Sequence, residues 1–321
     1  MLYLNDRDLR AVGLDWPALV DSVESAVRIL DSGDYAQPVK PYLRYNNLNN
    51  RIIAMPAYVG GEVSAAGIKW ISSFPDNLKA GLPRAHSIIV LNDPLTGQPS
   101  AILNSPVPSL VRTASISGLM IRHWLQARPL ERIQLGIIGW GPVGQYHFQM
   151  AAALYGERIE SIRIYDIRGA DLAEIPPLYR DRTEAAATWA EVYLHSNIFI
   201  TCTVSNHRYI DLPPARGSLL LNVSLRDYKP EALAAVTAVI VDDWDEVCRE
   251  NTDIERLHLE RGLTQGGTGK ITDVVVRHCL TDFAEAEPVF FCPMGMAVFD
   301  IATAVYYVKK AREKGIGNEL E

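Results

Sequence analysis

The stretch Ile133-Gln-Leu-Gly-Ile-Ile-Gly-Trp-Gly-Pro-Val-Gly144 constrains the fold of this chain more than any other. An apolar run leads into three glycines spaced Gly139-x-Gly141-x-x-Gly144. A helical pattern follows, and a second apolar run, Ser161-Ile-Arg-Ile-Tyr-Asp166, ends in an acid. In that order the parts make the βαβ fingerprint of a dinucleotide site. Gly139 permits the tight turn, Gly141 lets the backbone approach a pyrophosphate, and Gly144 lets the helix pack closely on the strand. Pro142 suits a first helical turn, where no N–H is needed. With Val143 it opens the helix whose unpaired N–H groups face the phosphates. Asp166 is expected to accept hydrogen bonds from the adenosine ribose and to repel a 2′-phosphate, which favours NAD over NADP. Arg168 admits two readings, a solvated arginine or a partner for a 2′-phosphate.

With 321 residues and 48% hydrophobic content, the chain can bury a large core and is expected to form two domains. A net charge of −7 argues against nucleic acid or an anionic membrane as partner. The four cysteines, Cys202, Cys248, Cys279 and Cys292, are widely spaced with no CxxC pair. Neither a metal site nor a disulfide framework is expected, and buried thiols in a reducing compartment are the simpler reading. The N-terminus has no apolar signal core and no run is long enough to span a membrane, so a cytoplasmic protein is expected.

The fingerprint lies in mid-chain, so the first hundred residues have another task. Trp16, Leu19, Val23, Val27 and Leu30 fall at helical spacing. Strand-like runs follow at Arg51-Ile-Ile-Ala-Met55, Ala66-Gly-Ile-Lys-Trp-Ile71, Ser87-Ile-Ile-Val-Leu91 and Ser100-Ala-Ile-Leu103, with a turn at Asn92–Gly97. Ser109 is the expected N-cap of a helix to Gln126, which places Arg112 in its first turn. After the fingerprint, continuous apolar runs at 197–204, 218–223 and 238–242 read as parallel strands buried on both faces. A last helix runs from Met296 to Lys314, with Val298, Ile301, Val305 and Val308 on one face. The expected class is α/β. A doubly wound parallel sheet occupies residues 113–295, and an antiparallel, β-rich substrate and dimerisation domain takes 1–112 and 296–321. Lys69, between Ile68 and Trp70, points to the opposite face of its strand. It lies either on a solvated face or, if both faces are covered, in a pairing that makes it functional. Asp227, in Asn222-Val-Ser-Leu-Arg-Asp227, ends a predicted parallel strand on the side where such sheets bind ligands.

The motifs Gly67-Ile-Lys69-Trp, Gly81-Leu-Pro83, Ile89-Val-Leu-Asn-Asp-Pro94, Ser109-Leu-Val-Arg112-Thr-Ala114 and Pro293-Met-Gly295-Met-Ala-x-x-Asp300 surround the mid-chain glycine loop. Together they resemble the ornithine cyclodeaminase/mu-crystallin family over nearly the whole chain. The resemblance implies a Rossmann domain joined to a domain whose strands form a dimer interface, hence a homodimer, and chemistry on amino or imino acids. It implies that Arg44, Lys69 and Arg112 bind the substrate carboxylate and that Lys69 and Asp227 are catalytic. Thr203, Val204 and Ser224 join the glycine loop, Asp166 and Arg168 as expected cofactor contacts.

Lys40-Pro-Tyr-Leu-Arg44, Arg51-Ile-Ile-Ala-Met-Pro56, Ile200-Thr-Cys-Thr-Val204 and Val241-Asp-Asp-Trp244 narrow this to the family's diaminopropionate-forming branch. The branch implies NAD-dependent oxidation of a secondary amine joining glutamate to diaminopropionate, followed by hydrolysis of the imine. True cyclodeaminases carry a glutamate where this chain has Ile53, which could not hold ornithine's side-chain ammonium. Such an oxidation needs the substrate carboxylate clamped, for which arginine is suited, and a base for the amine proton, for which Asp227 or its water is the candidate. Lys69 is then either a charge or a proton partner. Two alternatives stay open. One is another family enzyme, such as an ornithine cyclodeaminase, ketimine reductase or alanine-type dehydrogenase. The other is a non-catalytic NAD(P)-binding protein of the mu-crystallin kind.

Overall fold

A computed structural model describes residues 1–321, which divide into two compact units, 1–116 with 295–321 and 117–294. The chain opens with β1 (Leu2–Asn5), α1 (Asp6–Val12) and α2 (Trp16–Ser32). Asn5 caps α1, exchanging hydrogen bonds with Asp8 in a capping box. Asp15 caps α2, which buries Trp16, Leu19, Val20, Val23, Ala26 and Val27 in one stripe. Then come β2 (Tyr35–Ala36), β3 (Tyr42–Leu43), β4 (Arg51–Val59), β5 (Ala65–Ser73), β6 (Ala85–Asn92), β7 (Pro99–Asn104) and the long α3 (Val107–Ala127). Because α3 starts at Val107, Ser109 is its third residue and not its N-cap. Arg112 correspondingly lies in the second turn instead of the first. Ser105 plays the capping part, its hydroxyl accepting from the Val107 N–H at 3.1 Å.

The second unit contains β8 (Ile133–Ile138), α4 (Pro142–Tyr155), β9 (Ile159–Tyr165), α5 (Pro177–Arg180), β10 (Thr183–Ala185), α6 (Trp189–Leu194), β11 (Ile198–Thr201), β12 (Leu219–Asn222), β13 (Ala238–Val241), α7 (Trp244–Val247), α8 (Asp253–Arg261), β14 (Gly269–Lys270), α9 (Ile271–Arg277) and β15 (Val289–Cys292). Its sheet runs β10-β9-β8-β11-β12-β15-β13-β14 with every pair parallel. Residues of β11, β12, β13 and β15 are all buried, as strands covered on both faces must be. The order reverses between β8 and β11, so the loops leaving these two strands part in opposite directions. That opens the crevice where doubly wound sheets take ligands.

The chain returns to the first unit through α10 (Ala297–Lys314) and β16 (Asn318–Glu319). The first sheet reads β16-β1-β7-β6-β5-β4-β2, with β3 also on β4. It is mixed and not wholly antiparallel, since β1 pairs with β7 in parallel. Met55, Ala57 and Val59 of β4, Ile89 and Leu91 of β6 and Leu103 of β7 form its buried face, joined by Ile301 and Ala304 of α10. Each of the larger side chains among them, Met, Val, Ile or Leu, stabilises the fold by about 1.5–3 kcal/mol. α10 buries Val298, Ile301 and Val308 together with Ala297, Asp300, Ala304, Tyr307 and Ala311, whereas Val305 is only half-buried. No helix is long and apolar enough to cross a membrane.

Candidate functional site

In the first unit, Lys69 sits at the centre of β5, opposite Met55 on one side and Ile89 on the other, with no exposed side-chain surface. Strand alternation aims it into the buried face, so the solvated-face reading is set aside. Its Nζ lies 2.8 Å from Asp300 Oδ2, and Arg112 Nε lies 3.0 Å from Asp300 Oδ1. One carboxylate on α10 is thus shared by two cations from β5 and α3. Ser109 Oγ stands 3.4 Å from Lys69 Nζ. Burial first, and then the Arg112 charge, hold Lys69 down to about 7, with Asp300 pulling the other way. Lys40, also buried, donates to the Gly295 carbonyl at 2.7 Å. Gly295 is left-handed at φ +84, and a Cβ there would fall 2.3 Å from Arg112 Nη1. Only glycine presents that carbonyl to Lys40 while leaving room for the arginine.

Arg44 does not join this cluster. It is exposed, and its guanidinium lies 5.0 Å from the centre of the Tyr42 ring. The cation that converges with Lys69 and Arg112 is Lys40. Ile53 pairs with Tyr42 and with Ile71, which puts it on the Lys69 face of the sheet.

In the second unit, Gly139 follows β8 at φ +93, and a Cβ there would meet the Cys202 carbonyl at 2.5 Å. A Cβ on Gly144 would overlap the Gly139 carbonyl at 2.0 Å, so α4 packs on the strand only with glycine here. Gly141 is the N-cap, Pro142 opens the helix, and no side chain caps its N–H groups. A Cβ on Gly141 would meet nothing within 4 Å, so this backbone faces open space. The residues therefore fit a pyrophosphate, with Val143 and Gly144 supplying first-turn N–H groups. Asp166 follows β9 and accepts from the Trp140 N–H at 2.8 Å and the Arg168 N–H at 2.9 Å. Arg168 Nε is 3.4 Å from the same carboxylate, on a side chain that is 67% exposed. Ile167 between them is 88% exposed and Val204, beyond β11, is 58% exposed. Both are apolar side chains open to solvent. Trp140 stands inside the glycine loop. It is buried, donates to the Asp171 carbonyl at 2.7 Å and packs edge-on against Phe148.

Asp227 lies in the loop beyond β12 and does not end the strand. Its carboxylate is buried and accepts one hydroxyl on each oxygen, from Thr203 and from Ser224. These two expected cofactor contacts thus turn their hydroxyls onto the candidate base. Asp253 supports the loop. Its Oδ2 accepts from the Asp227 and Tyr228 N–H groups at 3.0 and 3.1 Å and from Asn222 Nδ2 at 2.9 Å, while Arg208 Nε meets its Oδ1 at 2.7 Å. Burial pushes the Asp253 carboxyl up to about 6. Leu225 turns at φ +71 in this loop, pinned by its N–H to Asn222 Oδ1 at 3.1 Å and by its carbonyl to the Asp253 N–H at 2.8 Å. His147 is buried and depressed to about 4, hence neutral. Its Nδ1 donates to the Val143 carbonyl at 2.8 Å, which leaves Nε2 to accept from Ser117 at 2.9 Å. Asp243 caps α7, and Asp242 accepts the Met294 N–H at 3.0 Å. All four cysteines are free, with only Cys292 fully buried. No cluster of His, Cys, Asp or Glu is placed to hold a metal.

Sequence reasoning did not mark Lys40, Asp253 or the place of Asp300 between Lys69 and Arg112. Asp300 carried a signal, because an acid shares its helical face with Ala297, Ile301 and Ala304. Nothing in the local pattern marked Lys40.

The pattern of the ornithine cyclodeaminase/mu-crystallin family matches residues 11–213. The N-((2S)-2-amino-2-carboxyethyl)-L-glutamate dehydrogenase of Staphylococcus aureus is 32% identical over 100% of this chain and 98% of its own length. The alanine dehydrogenase of Archaeoglobus fulgidus is 26% identical over 94% of this chain and 92% of its own. The structure of Thermococcus litoralis Δ1-pyrroline-2-carboxylate reductase in complex with NADH and L-proline has the same fold, with TM-score 0.84, 23% identity and 100% coverage of both chains. This chain, an oxidoreductase, belongs to the ornithine cyclodeaminase/mu-crystallin family.

Proposed function

We propose that the protein oxidises the secondary amine of N-(2-amino-2-carboxyethyl)-L-glutamate with NAD and hydrolyses the imine to 2-oxoglutarate and L-2,3-diaminopropionate. One observation carries this reading. Lys69 and Arg112 divide a single buried carboxylate between them, which leaves positive charge for an anionic substrate. Similarity to the S. aureus dehydrogenase over the full length supports the particular substrate. The apolar Ile53 on the Lys69 face supports it further, since an ornithine ammonium finds no acid there. The cofactor is NAD, held at the Gly139–Gly144 loop and Asp166, and when bound it supplies a two-electron hydride acceptor. The protein's own part is to clamp the substrate carboxylate with Arg112 and to fix the C–H bond for transfer. Hydride leaves from an unprotonated amine, so that proton must be taken up. The buried Asp227 carboxylate takes it up and directs the water that attacks the imine carbon, while Lys69, charged once the substrate carboxylate is bound, holds that carboxylate.

The same reading makes the protein a homodimer. Across β4, β5, β6 and β7 the face opposite Lys69 presents one apolar row, Pro56–Ile68–Val90–Ile102, and a second, Ala54–Trp70–Ile88. Trp70 is 41% exposed, and a second copy of the chain would cover it.

Incubation with NAD and the conjugate should give NADH, 2-oxoglutarate and L-2,3-diaminopropionate in equal amounts. Lys69→Ala and Asp227→Ala should each lower kcat by roughly two to four orders of magnitude. The assignment is lost if the conjugate yields no NADH while ornithine is converted to proline and ammonia, or while alanine is oxidised.

A further inference from the structure

Both Arg44 and Arg51 place their guanidinium over the ring of Tyr42, at 5.0 and 5.7 Å from its centre. The β3–β4 register that sets Tyr42 opposite Ile53, extended by two residues, brings position 44 opposite position 51. A cation–π contact contributes only about 0.5–1 kcal/mol at an exposed site, too little to account for Arg51 by itself. Arg51 is half-buried, forms no ion pair, and its covered Nε has no hydrogen-bond partner. A buried donor left unmatched costs about 1–3 kcal/mol, so such a group is retained where something else satisfies it.

We infer that Arg51, at Tyr42, forms a second carboxylate subsite that takes the distal carboxylate of an acidic amino-acid arm. This rests on the substrate reading above and deepens it. Arg51 opposes Ser73, Ile53 opposes Ile71 and Met55 opposes Lys69. The three rows share one face of the sheet, with Ile53 lying between the two cationic positions. Four residues of strand separate Arg51 from Met55, about 13 Å of backbone at ~3.3 Å each. That span lies within the combined reach of two long side chains and a dicarboxylic chain of five carbons. Lys69 and Arg112 hold the carboxylate beside the reacting carbon. The Nε–Nη edge of Arg51 offers the two-pronged geometry that carboxylates accept, and Ile53 lines the methylenes between. Specificity for a glutamyl arm over an alanyl or prolyl one then originates at this end of β4.

The test compares wild type with Arg51→Gln and Arg51→Lys, in the presence of NAD, using glutarate and pentanoate as binding probes and the conjugate as substrate. Wild type should prefer glutarate to pentanoate. Arg51→Gln should weaken glutarate about 10- to 100-fold, the scale of one charge-assisted pair, and leave pentanoate unchanged. It should raise KM for the conjugate by a similar factor with kcat nearly constant. Arg51→Lys should recover part of the loss, since it keeps the charge but not the fork. Glutarate affinity and KM that survive Arg51→Gln overturn the subsite even if melting temperature falls, for the stack on Tyr42 is then only structural. Turnover of the conjugate by wild type with no effect of Arg51 keeps the function and removes the subsite. Arg51-dependent glutarate selectivity without turnover of the conjugate does the reverse. Wild-type protein that does not distinguish glutarate from pentanoate also overturns the subsite.

Discussion

Asp300 Oδ2 lies 2.8 Å from Lys69 Nζ in a place where neither side chain has exposed surface. The pair ties the C-terminal helix to the middle of the first sheet, and Arg112 on α3 takes the remaining carboxylate oxygen. Asp300 therefore sets the positions of both cations proposed to meet the substrate.

Asp300→Asn leaves two buried cations with no counter-charge. Removing one partner of a buried pair is destabilising by about 3–5 kcal/mol, so the melting temperature should fall by several degrees. Activity should fall with it, since Lys69 and Arg112 lose their common anchor. Calorimetric melting alongside steady-state kinetics checks both effects. A variant that melts like wild type would remove Asp300 from the centre of this cluster.

These contacts show where sequence reading stops. The glycine loop and Asp166 were legible because each residue answers a local backbone demand, seen in the Cβ overlaps at Gly139 and Gly144. The buried parallel strands were legible as continuous apolar runs. In the first unit the resemblance marked Lys69 and Arg112, but not Lys40 or the Asp300 carboxylate that joins them, because the partners come from four separate segments. Lys40 reaches a carbonyl that exists only because Gly295 is left-handed. The C-terminal helix buries Val298, Ile301 and Val308 as its spacing suggested and leaves Val305 half-buried, but it also buries Ala297, Asp300, Ala304 and Ala311, a wider face than the valine spacing showed.

The depressed Lys69 gives a pH signature. Held at about 7 by burial and by Arg112, it is largely neutral at pH 8 in the free protein. A bound carboxylate favours its charged form and raises its pKa. Binding of the substrate or of glutarate at pH 8 should therefore draw in about one proton, and at pH 6, where Lys69 is already charged, close to none. Affinity should weaken as pH rises above 7. Titration calorimetry in buffers of different ionisation enthalpy reads the proton count directly. Enthalpies independent of buffer at pH 8 would exclude Lys69 as a carboxylate partner.

Two glycines of the loop separate cofactor binding from folding. A Cβ at Gly141 meets nothing within 4 Å, whereas one at Gly144 meets a carbonyl oxygen at 2.0 Å. Gly141→Ala should thus melt within about 0.5 kcal/mol of wild type, as changes in open space do, yet bind NAD at least about tenfold more weakly because its methyl occupies the pyrophosphate approach. Gly144→Ala should lose stability as well as binding, since α4 can no longer close on β8. Thermal shift with and without NAD distinguishes the two variants. Undiminished NAD affinity in Gly141→Ala would mean that the loop is not the phosphate cradle.

The last prediction concerns the outer face of the first sheet. Its two apolar rows run across four paired strands, and the larger row is centred on Ile68, next to the exposed Trp70. A face of this kind stays in water only at a cost, and closed two-fold pairing is the commonest way for a chain to bury its own surface. Light scattering should give twice the chain mass of 35.6 kDa at micromolar concentration. Trp70→Glu puts a charge within this apolar face and should shift the mass to that of one chain. Lys69 points to the other face from Trp70, so the variant should keep its carboxylate affinity if the cluster is complete within one chain. Wild-type protein running at the single-chain mass would end the dimer reading, and a Trp70→Glu variant that stays paired would move the interface elsewhere.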